Sequence, residues 1–113
     1  MHKSQITYLQ DILGAIDRIE QYTEKVSFGS FKNNTIISDA VVRNLEIIGE
    51  ATKSISNEFK KDHKEIEWNK IAGLRDILIH TYFSINLEII WDIIKSKLPQ
   101  LKISINKIIE NLA

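Results

Sequence analysis

The chain has no cysteine. A disulfide framework, a thiolate nucleophile and a zinc–thiolate site are thereby excluded, and an intracellular protein is the simplest expectation. Proline is nearly absent as well, with Pro99 alone, and glycine occurs only at Gly14, Gly29, Gly49 and Gly73 in 113 residues. Breakers this sparse disfavour a many-turned β domain and favour helices. Of 15 basic residues, only Arg18, Arg43 and Arg75 are arginines, so planar bidentate phosphate-binding groups are scarce. There is no excess of charge either. The 15 bases meet 15 acids for a net charge of zero, which argues against a generic nucleic-acid coat. It leaves room for a small basic cleft, especially one assembled by two subunits. No apolar run approaches about 18 residues, so no membrane span is expected. Met1 to Gln5 lead into an amphipathic stretch rather than the apolar core of a signal peptide. A cytoplasmic protein with no membrane partner is expected.

Hydrophobic residues make up 43% of the chain, enough for the core of one domain over residues 1–113. Apolar residues recur at helical spacing throughout. Ile6, Leu9, Ile12, Leu13, Ile16 and Ile19 predict a helix over about 4–25. A break is expected at Ser27–Ser30 and again at Asn33–Thr35, with Thr35 or Ser38 capping the next helix. That helix is expected over about 36–59, with Val41, Leu45, Ile48, Thr52 and Ile55 on one stripe and Arg43, Glu46 and Glu50 on another. The mixed charges of 60–67 end it. A turn over 68–72 leads to Gly73 and a motif helix over 74–80. A helix from about Ser84 to Leu98 follows, with Leu87, Ile90, Trp91 and Ile94 as its apolar side. The residue before Pro99 is disfavoured in a helix, so a last helix is expected over 99–111, turning Leu101, Ile105, Ile108 and Ile109 inward. The expected fold is all-α, an antiparallel bundle of four to five helices.

The segment Gly73–Phe83 concentrates a permanent cation, a carboxylate, an imidazole and a phenol: Arg75, Asp76, His80 and Tyr82. At about 100° per residue, Leu74, Ile77 and Leu78 share one arc, which Ile71 extends. Arg75, Ile79, Asp76 and His80 fill the opposite arc and are expected to point away from the subunit's own core. Ile79 amid charges is either an isolated exposed residue or a sign that this face meets a second copy of itself. Arg75 and His80 are five residues apart, about 140° around the helix and about 7.5 Å along it. That separation suits two groups flanking a phosphate. Cleavage of RNA without a metal needs a group that takes the 2′-hydroxyl proton, another that protonates the leaving oxygen, and a cation on the phosphorane. An Arg and a His at this spacing also occur by chance in helical proteins. His2 and His63 lie in a terminus and a polar stretch and read as solvated. Arg43, Glu46 and Glu50 read either as a solvated row of i,i+3 and i,i+4 pairs or as supports that orient Arg75 or His80. Trp68 and Trp91 read as core or interface aromatics, and Tyr82 as an amphipathic aromatic sealing a helix end.

Arg75, four intervening residues, His80, one residue and Tyr82 form a signature that resembles HepT-type toxins of the HEPN group of helical ribonucleases. Arg43-Asn44-Leu45-Glu46-Ile47-Ile48-Gly49-Glu50-Ala51 looks like that family's second-helix block, and Trp68, Ile71, Gly73 and Arg75 look like its lead-in. The resemblance runs from the first helix to about Leu98. It implies a HEPN domain forming an α-helical homodimer whose paired motifs line a cleft, and a metal-independent endoribonuclease acting as a toxin on RNA. It also implies Arg75 and His80 as the catalytic pair and Asp76 as a supporting polar residue. Tyr82 matches the tyrosine to which an MntA-type nucleotidyltransferase antitoxin transfers AMP from ATP. No cofactor and no metal are implied. A different expectation stays open, that of a non-catalytic helical partner for a nucleotidyltransferase.

Overall fold

The computed structural model describes residues 4–80 and 86–112, and of Ile77, Ile79 and His80 the backbone alone. The described residues are helical without a β-strand: α1 Gln5–Thr23, α2 Phe28–Asn33, α3 Thr35–Ser54, α4 Asn57–Asp62, α5 Trp68–His80, α6 Leu87–Asp92 and α7 Leu98–Leu112. Residues 93–97 form a π-helical turn joining α6 to α7 without a break. Three long helices and this composite rod make the all-α bundle, with α2 and α4 as short connectors. No helix among the described residues is long and apolar enough to cross a membrane.

Short polar side chains set the helix starts by accepting from free backbone donors. Ser4 accepts from Thr7 N, Ser27 from Ser30 N, and Ser56 from Phe59 N. Asn34, not Thr35 or Ser38, caps α3 by accepting from Ile37 N. The expected break at 27–30 is helix α2, because Ser27 caps it and Phe31 is fully buried. The long helix expected to reach residue 59 ends at Ser54 and restarts at Asn57, because Ser56 caps α4. Trp68 and Gly73 both lie within one helix, α5. The indole donates from Nε1 to the His63 carbonyl at 2.9 Å, anchoring the helix start. Packing of α5 on α3 overrides the roughly 1 kcal/mol that a helical glycine costs.

The chain also continues through Pro99. Leu98 N–H reaches back five residues to the Ile93 carbonyl, so the wider turn accommodates the missing proline donor. It also keeps Ile90, Ile94 and Leu98 buried together. In an ideal α-helix those two four-residue steps would rotate the stripe by about 80°. The helix expected to stop at Leu98 is therefore a bulged continuation.

The core lies where α1, α3 and α7 meet. Leu9, Ile12, Ile16, Ile19, Val41, Leu45, Ile48 and Ile105 are sealed from solvent, and burying each such side chain stabilises by about 1.5–3 kcal/mol. Helices α1 and α3 run antiparallel. Ser56 N donates to Gln5 Oε1 at 2.8 Å at one end, and Arg18 Nε donates to Asn44 Oδ1 at 2.7 Å nearer the other. Lys102 ties α7 to α1 through Glu20 at 2.8 Å and Asp17 at 3.3 Å. Trp91 packs against Phe31 at 5.0 Å between ring centroids, and Trp68 is buried. His63 departs from its expected solvated state: it stacks on Phe59 at 4.4 Å and lies 3.6 Å from Glu65. His2 lies outside the described residues.

Candidate active site

The site is organised where α3 crosses α5. Gly49 is buried on α3, and a Cβ there would stand 2.7 Å from Arg75 Cβ and 3.0 Å from Arg75 N. Only a residue without a side chain lets the backbones come this close. Arg75 is thus set against α3 at its base while its guanidinium extends along the surface. The charged groups of Arg75 and Asp76 point away from the core as expected, while the Arg75 stem packs against α3. Arg75 lies at the edge of the polar arc, about 60° from Leu78, so its stem borders the packing face. Leu78 is buried as expected, and Ile71 and Leu74 are partly buried.

Glu50, the residue after Gly49, receives Arg75 Nε at 2.5 Å. The same guanidinium places Nη1 3.9 Å from Asp76 Oδ1, and that oxygen accepts from Lys53 Nζ at 2.8 Å. Arg43 lies 3.9 Å from Glu46 on the same face of α3. Opposite charges therefore pair along α3 and across to α5. A surface groove of about 380 Å³ has Tyr8, Asp11, Arg43, Glu46, Glu50 and Arg75 in its walls. The structure brings together Arg75, Asp76, Glu50, Glu46 and Arg43. Of the two readings of the α3 row, Glu50 fits that of a support bonded to Arg75, while Arg43 and Glu46 form a loose exposed pair.

His80 is the last residue of α5. Its backbone follows Arg75 on the same helix, and its side chain, like Tyr82 as a whole, lies outside the described residues. Two contributors have no place in the motif. Gly49 was visible as a breaker inside a strongly periodic helix and as a member of the block resembling the family's second helix, but neither signal showed its contact with Arg75. Lys53 extends the row Arg43, Glu46 and Glu50 by three residues, a signal that spacing alone offered.

Two other concavities lack this combination. One, of about 290 Å³, is walled by Ile48, Ile71, Leu74, Leu98 and Leu101 with Glu67, Lys70 and Lys97 at its rim. Another is lined by Lys60, Lys61, Lys64 and Lys70. There Lys70 is paired with Glu67 at 2.6 Å. Among the described residues, no three His, Cys, Asp or Glu side chains are grouped to hold a metal ion.

The model of the family described as "Ribonuclease HepT-like" matches residues 12–108. The chain belongs to the HepT-like ribonuclease family. It is 44% identical over 102 residues to "Probable ribonuclease HepT" of Thermococcus cleftensis, covering 90% of this chain and 93% of that protein. It is 38% identical over 108 residues to a "Putative RNase" of Caldanaerobacter subterraneus subsp. tengcongensis, covering 96% of each. A Methanocaldococcus jannaschii protein named "Gamma-glutamylcyclotransferase and putative RNase" is 41% identical over 112 residues, 99% of this chain and 50% of that one. No solved structure matches the chain. The match spans α3, α5 and the crossing that sets Arg75, so family membership and site geometry concern the same residues.

Proposed function

We propose that this protein is the toxin of a toxin–antitoxin pair, a cytoplasmic, metal-independent endoribonuclease whose working site is formed by two copies of the chain. Arg75 and His80 carry the reaction. One His80 takes the proton of the ribose 2′-hydroxyl, whose oxygen attacks the adjacent phosphorus. A second His80, from the other copy, protonates the departing 5′-oxygen. The products are a 2′,3′-cyclic phosphate and a 5′-hydroxyl, and no cofactor is consumed. Arg75 offers a planar fork to the phosphorane as its charge grows. Asp76 supports the site beside Arg75. Transfer of AMP to Tyr82 by an MntA-type nucleotidyltransferase antitoxin then adds bulk and a phosphodiester charge two residues from His80, where substrate phosphate must enter.

The observation that carries this reading is Arg75 pinned at the α3–α5 crossing by Gly49 and Glu50, on the helix that ends in His80. The test is cleavage of RNA by protein whose Tyr82 is verified unmodified by intact mass, with chelator present. His80→Ala should abolish cleavage and growth inhibition while leaving the helical spectrum unchanged. Cleavage by His80→Ala at the wild-type rate would refute the assignment. For regulation, coexpression with the nucleotidyltransferase should add AMP mass increments that vanish in Tyr82→Phe. A second reading, a non-catalytic helical partner of the nucleotidyltransferase, is favoured by the pairing of Arg75 with Glu50 and by the zero net charge. Purified unmodified protein that binds the partner or RNA yet cuts nothing would decide for it.

A further inference from the structure

The link between α3 and α5 contains a lysine to which no motif points. Lys53 Nζ lies 2.8 Å from Asp76 Oδ1, and Arg75 Nη1 lies 3.9 Å from that same oxygen. One carboxylate oxygen therefore sits between two cations supplied by different helices. All three groups reach solvent, with side-chain exposures of 40% for Lys53, 53% for Asp76 and 36% for Arg75. An anionic oxygen bonded by a lysine, with an arginine Nη1 nearby, has the kind of partners that a phosphodiester oxygen takes.

We propose that Lys53 is a second phosphate-binding cation of this site and that Asp76 holds its place in the free protein, leaving when an RNA phosphate enters between Lys53 and Arg75. The proposal rests on the ribonuclease reading of Arg75 and adds to it a residue and an order of events. Three features support it. Lys53 follows Glu50 by three residues and Gly49 by four, so its backbone lies one turn from the α3–α5 contact and is fixed relative to Arg75. The Lys53–Asp76 pair is solvent-exposed, and such pairs contribute little to stability, so exchanging one anion for another costs little. Glu50 bonds Arg75 through Nε, which leaves Nη1 on the side of Asp76, where the phosphate would arrive.

The experiment measures binding of a short single-stranded RNA made uncleavable by 2′-O-methyl groups, by fluorescence anisotropy across a NaCl series. Lys53→Ala should weaken binding several-fold at low salt and reduce the slope of log affinity against log salt by about 0.7, the value for one lost phosphate contact on a single strand. Asp76→Asn should tighten binding by about threefold, the scale of one exposed charge interaction. Both variants remove the same ion pair. A purely structural role for that pair predicts that both move binding in the same direction, whereas a placeholder carboxylate predicts opposite directions. Unchanged affinity and slope in Lys53→Ala overturn the proposal, and so does Asp76→Asn binding no more tightly than wild type. Arg75→Ala separates the levels. If it loses affinity while Lys53→Ala does not, only the Lys53 assignment fails. If Arg75→Ala also binds like wild type, the phosphate-binding reading of the site fails with it.

Discussion

Gly49→Ala tests the crossing on which the site depends. The added methyl carbon would stand 2.7 Å from Arg75 Cβ and 3.0 Å from Arg75 N. Carbon pairs rest at about 3.5–4.0 Å, so the helices must part locally by on the order of 1 Å. The clash is with a Cβ and a backbone atom, not with the far end of a flexible side chain, so rotation cannot relieve it. Overpacking of this kind costs about 1–3 kcal/mol. Alanine recovers about 0.8–1.0 kcal/mol of helix propensity, since no glycine among the described residues has a positive φ. The expected net loss is about 1 kcal/mol, or a drop of roughly 4 °C in Tm for a domain of this size. On the proposed reading of Arg75, cleavage should suffer far more, because a displacement of about 1 Å in a catalytic group can cost about 100-fold in rate. Gly73→Ala is the matched control. Gly73 lies on α5 two residues before Arg75, and no described residue stands within 4 Å of a Cβ there. It should gain about 1 kcal/mol, raise Tm by roughly 4 °C and cleave RNA at the wild-type rate. Thermal unfolding by circular dichroism and a fluorogenic RNA assay on both variants supply the readout. If Gly49→Ala behaves like Gly73→Ala in both, the two helices do not meet through that glycine, and the account of how Arg75 is placed is wrong.

Two further substitutions probe what joins the helices. Asn44→Ala removes the buried acceptor of Arg18 Nε at 2.7 Å. It should cost about 1.5–3 kcal/mol, typical of a hydrogen bond to a charged group, seen in urea unfolding as a lower midpoint at constant m-value; a loss below about 0.5 kcal/mol would contradict this bond's role. Lys102 has its pKa raised above 10.5 by hydrogen bonds to Glu20 and then Asp17. Its contribution is therefore fully present below 10.5 and lost as pH rises through the higher folded value. The stability difference between wild type and Lys102→Gln should stay level from pH 6 to 9 and shrink above pH 10.5, and a difference that shrinks already at pH 8 would disprove the linkage.

Much of the fold was legible because apolar spacing is a global signal. Val41, Leu45, Ile48, Thr52 and Ile55 were expected on one stripe and are all buried. Boundaries were less legible, because they turn on single hydrogen bonds and long-range packing. Asn34 rather than Thr35 caps α3, and Pro99 breaks nothing because a π turn absorbs it. In the site, Arg75, Asp76 and Glu50 carried visible signals of residue type and spacing. The contact of Gly49 with Arg75 did not, since it joins residues 26 apart in sequence, and nothing in a periodic pattern says which turn of α3 touches which turn of α5. His63 was misread for a related reason: a polar neighbourhood in sequence says nothing about the Phe59 ring that covers it.

The zero net charge, which at first argues against RNA, becomes intelligible in the same geometry. Cations along this face are matched to carboxylates: Arg75 to Glu50, Lys53 to Asp76 and Arg43 to Glu46. On the proposed reading, a phosphate replaces a carboxylate here rather than filling a vacant basic patch. Such exchange gains less electrostatic free energy than binding to unmatched cations, so non-specific affinity for nucleic acid should be weak and fall with salt by only a few contacts' worth of slope. On that reading, discrimination depends on whether a phosphate can sit where Lys53 and Arg75 converge. On the proposed reading, this is how a neutral chain handles RNA without coating itself in it.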